Sequence, residues 1–190
     1  NFGVAPSNEA ARLPAAQGLQ AIVSGSCSVA TNQQVMDFIK AGKPALAIDP
    51  LRIAAGVDVA AEALAWAEGH IGKGPVLVYS TAEPSAVRAI QGKLGSEKAG
   101  AMVEETIAAI ARGLVQRGVR QLIVAGGETS GACVQALGIT QMRIGAQIDP
   151  GVPWCHAVAP DARDGLHITL KSGNFGSTDF FTKAFAQLQA

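Results

Sequence analysis

Four short apolar runs, each followed by a helix-forming stretch, constrain the fold of this chain most. Residues 20–24, 44–49, 75–80 and 121–125 are rich in Val, Ile, Leu and Ala, and Gly, Pro or Ser stands at or beside their ends. Runs of this length with β-branched residues read as buried strands. Between and after them the apolar spacing changes to that of helices, over about 30–41, 58–71, 99–117 and 128–137. In the first helix Val35, Phe38 and Ile39 are expected on one face, and Gly118 and Gly138 are natural stops for the last two. Gly92, Gly95 and Gly100 break the region that follows the third strand. Strands alternating with helices of a dozen residues imply right-handed crossovers and a parallel sheet. The expected fold is α/β, a three-layer open, largely parallel sheet flanked by helices.

After Gly138 the alternation weakens. Short extended pieces are expected around Arg143-Ile144 and around 156–158, then a strand over 166–171 and a last helix over about 179–188. A few extra short strands near the C-terminus therefore join the sheet. Residues 148–154, Ile-Asp-Pro-Gly-Val-Pro-Trp, read as a loop stiffened by two prolines, with Asp149 serving a turn and Trp154 plugging the loop.

Composition narrows the function. With 190 residues and 48% hydrophobic content, one domain buries roughly 70% of its unfolded surface without disulfides. No repeat, linker or low-complexity tract divides it. Fifteen basic residues balance fifteen acidic ones without a basic tract, which argues against nucleic-acid binding. No apolar run reaches membrane-spanning length, and no signal peptide is expected. Cys27, Cys133 and Cys155 read as reduced thiols of a cytoplasmic protein, and the three histidines form no ligand pair, so no metal ligands are expected among them.

Three loops carry the chemistry. In an open parallel sheet, ligands gather beyond the carboxyl ends of the strands. Ser24-Gly25-Ser26-Cys27-Ser28, Gly126-Gly127-Glu128-Thr129-Ser130 and Ser172-Gly173-Asn174-Phe175-Gly176 should all lie on that edge. Each joins glycine to hydroxyl or amide side chains, giving many small donors suited to an oxygen-rich anion. The second loop leads from a strand into a helix N-terminus, where free N–H groups and the helix dipole favour phosphate. It has neither the lysine of a Walker A loop nor the spacing of the dinucleotide fingerprint.

Simpler roles stand beside these. The serines, Thr129 or Ser130 can cap helices, Gly173 and Gly176 can serve turns, Lys171 can be a solvated strand-end lysine, and Cys27 can be a small packed residue. Glu128, next to an anion site, must hold magnesium, bond a ribose hydroxyl or point away.

In their order, these motifs resemble a known family. Ser24-Gly25-Ser26-Cys27-Ser28 with Thr31 and Gln34, the run from Gly126 to Gly131, residues 148–154, and Leu170-Lys171-Ser172-Gly173-Asn174-Phe175-Gly176 are similar to the C-terminal nucleotide-binding domain of the four-carbon acid sugar kinases. The resemblance extends from about Leu19 to the end. It implies a kinase that transfers phosphate from ATP, with Mg2+, to threonate, erythronate or 3-oxo-tetronate. It implies ATP contacts by Ser24, Gly126, Gly127, Glu128, Thr129 and Gly173. Gly25, Ser26, Ser130, Ser172 and Asn174 complete the expected cofactor-binding set, with Lys171 as the catalytic candidate.

The family's N-terminal half binds the sugar acid and opens with an aspartate-rich motif that this sequence lacks. With Asn1 rather than Met at its start, residues 1–190 are expected to be the nucleotide-binding half alone, inactive by itself. Its partners would be that N-terminal domain and the sugar acid, with a homodimer left open. The competing reading is a non-catalytic nucleotide- or anion-binding sensor. A dinucleotide-dependent α/β enzyme lacks its acidic residue after the first glycine loop.

Overall fold

In a computed structural model, which describes residues 12–80 and 96–188, the four apolar runs form adjacent strands of a seven-stranded sheet, from one edge to its middle. Strands β1 (Leu19–Ser24), β2 (Ala45–Ala47), β3 (Val76–Tyr79), β4 (Val119–Ala125), β5 (Met142–Asp149), β6 (Val152–Ala159) and β7 (Ala162–Lys171) lie in the order β2-β3-β1-β4-β7-β6-β5. The first five positions are parallel, and β6 and β5 run antiparallel at one end. The expected α/β class holds.

Both faces of the sheet are covered, so the middles of its central strands, residues 21–23, 76–78 and 122–125, are continuously apolar. Six helices flank it: α1 (Val29–Lys40), α2 (Pro50–Ala54), α3 (Val59–Glu68), α4 (Ser96–Gln116), α5 (Gly127–Ala136) and α6 (Phe180–Leu188). On one face Ile22 and Ile123 pack with Val35 and Phe38 of α1 and with Phe180, Phe181 and Phe185 of α6. On the other, Ala21, Val23 and Val124 pack with Ala63 and Ala67 of α3, Ile107, Ile110 and Leu114 of α4, and Cys133 of α5. Small residues bring the helices close. A Cβ on Gly113 would lie 2.5 Å from a Leu64 methyl, so glycine in α4 makes room for the Leu64 side chain of α3.

Several local expectations change. Ile39 lies at the edge of α1, 37% exposed, rather than in the core. Helix α2 was not anticipated, although Asp49 accepts from Leu51 N at 2.8 Å and Pro50 follows it, a favourable helix start. Gly100 is accommodated inside α4, whereas Gly92 and Gly95 lie outside the described residues.

The largest correction concerns residues 148–154. They are not a stiff loop but two full strands joined at Pro150-Gly151, with Asp149 paired to Val152. Pro150 followed by Gly151 at φ +79° matches the two central positions of a type II turn. Trp154 is therefore buried in β6, where its Nε1 donates to Ala184 O at 2.9 Å and its ring packs on Phe185. It plugs no loop.

Candidate functional site

The chain reverses direction across the sheet between β1 and β4. From β1 it passes through α1 to the outer strand β2, whereas from β4 it passes through α5 to the opposite edge. The two helices lie on opposite faces, which leaves a crevice at the carboxyl ends of these neighbours. Because β7 lies directly beside β4, the loops after β1, β4 and β7 are adjacent. Gly25 N donates to Ala125 O at 3.0 Å, and Gly126 N donates to Lys171 O at 2.8 Å, so each strand end is tied to the next.

The second loop is shaped by glycine. Gly126 has φ +126°, and a Cβ there would come within 2.6 Å of Thr129 Oγ1. A Cβ on Gly25 would press on the same hydroxyl. Gly127 differs, because a Cβ there would meet nothing within 4 Å. Gly126 stands at the N-cap of α5 and supplies no side-chain cap, so the first N–H groups of this helix depend on an outside partner. Ser130 Oγ turns inward and donates to Gly126 O at 2.6 Å.

The first loop leads into α1. Ser28 caps that helix, its Oγ accepting from Thr31 N at 3.2 Å. Ser24 is wholly buried at the end of β1, and its carbonyl accepts from Ser80 N at 2.8 Å. Cys27 Sγ lies 3.9 Å from Gly25 O. The third loop crosses over to meet these residues. A Cβ on Gly173 would approach Ser26 Oγ to 2.6 Å and Ser28 Oγ to 3.1 Å.

Lys171 is the main correction at the site. Expected to be solvated, it is 0% exposed. Its Nζ donates to Thr31 Oγ1 at 2.9 Å, Ser172 O at 3.1 Å and Gly173 O at 3.2 Å, which uses all three ammonium protons. Burial lowers its pKa to about 8, because a charge loses water's stabilisation inside the protein. The ammonium lies beneath the third loop, bonded to two of its carbonyls. Ser172 and Asn174 are exposed above it.

Glu128 is also exposed, and it reaches the carboxyl group of Glu104 on α4. Partial burial, then the hydrogen bond that protonated Glu104 donates to Glu128 and the charge of Glu128, raise the Glu104 pKa. Two carboxyl groups bonded to each other must share a proton or take up a cation. Among the described residues, no group of three or more His, Cys, Asp or Glu comes together.

Reasoning from the sequence missed the parts played by Glu104 and Asp149. Asp149 Oδ2 accepts from Ser177 N at 2.8 Å, and Lys183 Nζ donates to Asp149 Oδ1 at 2.6 Å, anchoring the end of the third loop. Thr31 and Gln34 were noticed only within the motif. Their polar character on the inward face of an amphipathic helix was the available signal. The histidines lie elsewhere. His156 and His167 pack against each other on β6 and β7, and His167 Nε2 donates to Pro14 O at 3.0 Å. Among the described residues, no helix is long and apolar enough to cross a membrane.

Comparison with known proteins gives a consistent result. A family model described as the nucleotide-binding C-terminal domain matches residues 21–181. Proteins named 3-oxo-tetronate kinase from Cupriavidus necator and Pseudomonas fluorescens are 53% and 51% identical over 180 residues. Those alignments include 95% of this chain but only 40% and 41% of the two relatives. A crystal structure of a Haemophilus influenzae protein superposes with a TM-score of 0.86 at 37% identity, over 96% of this chain and 43% of that one.

Proposed function

Because the chain belongs to the nucleotide-binding C-terminal domain family, we propose that it binds ATP where the loops after β1, β4 and β7 meet. We further propose that it is the nucleotide-binding part of a kinase for a four-carbon sugar acid of the 3-oxo-tetronate kind. The kinase reading rests on the relatives' names, and because the chain spans about 40% of their length, the sugar acid and its base belong to the remainder.

One observation carries the nucleotide reading: an uncapped helix start and two glycine-hydroxyl loops converge above a buried ammonium. Each element supplies positive potential or N–H donors with little bulk, as a polyphosphate needs. In this reading Gly126, Gly127, Glu128, Thr129 and Ser130 present the N-terminus of α5 to phosphate oxygens. Ser24, Gly25 and Ser26 form one wall, and Ser172, Gly173 and Asn174 the other. Lys171 acts by charge and by holding its loop, a positioning role rather than direct contact.

Phosphoryl transfer needs positioning and charge neutralisation more than covalent help from the protein. This chain supplies the grip on the donor. The Glu104 and Glu128 carboxylates, which lie within hydrogen-bond reach of each other, would be the oxygen donors on this chain to hold Mg2+, and the ion would supply charge neutralisation for the phosphates. Closure by the remainder of the protein would exclude water and place the acceptor hydroxyl.

Isothermal titration of this chain with ATP and magnesium tests the proposal. A saturable site in the micromolar to millimolar range is expected for a cleft without its closing half. A folded chain that gives no heat at millimolar ATP would refute it. Mixing the chain with a separately expressed sugar-acid-binding half should then restore ATP-dependent phosphorylation of a four-carbon acid. If the halves associate but no acid is phosphorylated, a nucleotide sensor is the better reading.

A further inference from the structure

Thr31 and Gln34 lie one turn apart on α1, and both are wholly buried. Their polar atoms meet the main chain of the third loop. Thr31 Oγ1 donates to Gly173 O at 2.8 Å and accepts from Lys171 Nζ at 2.9 Å. Ser28 Oγ reaches the same Gly173 carbonyl. Gln34 Nε2 lies 3.0, 3.1 and 3.0 Å from the carbonyls of Phe175, Gly176 and Ser177.

Gln34 occupies this position at a cost. Its Oε1 is buried without a hydrogen-bond partner, and an unmet buried acceptor destabilises the fold. An apolar residue would avoid that cost, so the value of Gln34 lies in what its Nε2 holds.

The orientation of the loop follows from peptide geometry. In a trans peptide the C=O and the next N–H point in opposite directions. The carbonyls of Ser172 and Gly173 are drawn toward Lys171 and Thr31. The N–H groups of Gly173 and Asn174 must therefore face away from α1. Phe175 N closes the turn onto Ser172 O at 3.1 Å, and Ser177 N is taken by Asp149. Among the described residues, Gly173 N and Asn174 N have no acceptor. Two successive N–H groups turned the same way make a concavity for an anion.

We infer that Thr31 and Gln34 are positioning residues for phosphate recognition: by holding the third loop's carbonyls against α1, they aim Gly173 N–H and Asn174 N–H at the phosphates of a bound nucleotide. The inference rests on the nucleotide reading above, and it separates the ligand into two parts. The polyphosphate depends on the clamp, and the nucleoside does not.

Amide NMR on the isotope-labelled chain tests both levels. Titration with ADP and magnesium should shift the Gly173 and Asn174 amides, whereas adenosine should leave them in place. If ADP moves the Gly127 amide but neither Gly173 nor Asn174, the clamp assignment falls while the nucleotide reading stands. If neither ligand moves any amide at millimolar concentration, the nucleotide reading falls and takes the clamp with it. Thr31→Val should weaken ADP binding about tenfold and adenosine binding less than about twofold, with Thr31→Ser returning ADP affinity to within about threefold of the parent. Equal losses for ADP and adenosine would overturn the assignment. Should the valine variant fail to fold, the amide shifts of the parent still decide.

Discussion

Replacing Lys171 with methionine should separate stability from binding. The pKa drop from 10.5 to about 8 means that burial disfavours the ammonium, relative to the neutral amine, by roughly 3 kcal/mol at 1.36 kcal/mol per unit. Methionine has nearly the same length and no such penalty. It does remove the charged donor from the Ser172 carbonyl, a bond of about 1.5–3 kcal/mol, although Phe175 N still donates to that oxygen and Gly173 O keeps the hydroxyls of Ser28 and Thr31. These effects oppose each other, so net stability should stay within about 2 kcal/mol of the parent. For a chain of this length that is a change in Tm of no more than about 8 °C.

Binding has no such offset. A unit charge about 7 Å from a phosphate, at an effective dielectric of about 20, contributes about 2 kcal/mol. ATP affinity at pH 7 should fall at least about tenfold. Scanning fluorimetry and titration calorimetry read the two quantities separately. Affinity within twofold of the parent, or a Tm lowered by more than about 15 °C, would refute the reasoning.

The pH dependence provides a second check. The unfolded lysine holds its proton up to a higher pH than the folded one, so between about 8 and 10.5 the unfolded state binds more protons. Parent stability should gain a contribution from Lys171 as pH rises through that window. Its ATP affinity should fall over the same range as the ammonium neutralises. Lys171→Met should lack both trends.

Gly127→Val, whose Cβ meets only open space, should leave Tm nearly unchanged and abolish ATP binding, and parent-like affinity would move the phosphate off this residue. Gly126→Ala forces a Cβ to within 2.6 Å of Thr129 Oγ1 at φ +126°, so denaturant titration should show a loss of about 1–3 kcal/mol. Burial raises the Asp149 pKa, but hydrogen bonds from Lys183 and Ser177 outweigh that effect and hold it below the usual value. Its stabilising contribution is present above the ordinary carboxylate pKa and is lost as pH falls through the lowered one. Acid unfolding curves of the parent and Asp149→Asn should therefore converge at low pH, and a constant gap would exclude the mechanism. Burial pushes the Cys133 thiol up to about 12, so a thiol reagent at pH 8 should modify it only after denaturation, as mass spectrometry of the native chain can show.

Local pattern alone determined the central architecture. Residues 21–23, 76–78 and 122–125 are continuously apolar because both faces of their strands are covered, and that continuity is visible without coordinates. The glycine-hydroxyl loops at three strand ends were legible for the same reason, since parallel strands put their carboxyl ends on one edge.

The C-terminal strands were less legible. Two prolines and a glycine in residues 148–154 suggested a loop, but pairing across a tight turn drew all but Pro150 and Gly151 into strands. Only tertiary structure decided the state of the site's charged groups. Lys171 meets Thr31 across 140 positions of sequence, and Glu128 meets Glu104 across the packing of α5 on α4. No local spacing encodes such meetings. A strand's apolar period follows from its own backbone, whereas the solvation of a charge depends on which distant element covers it, and that is fixed only when β7 docks beside β4 and its loop folds onto α1.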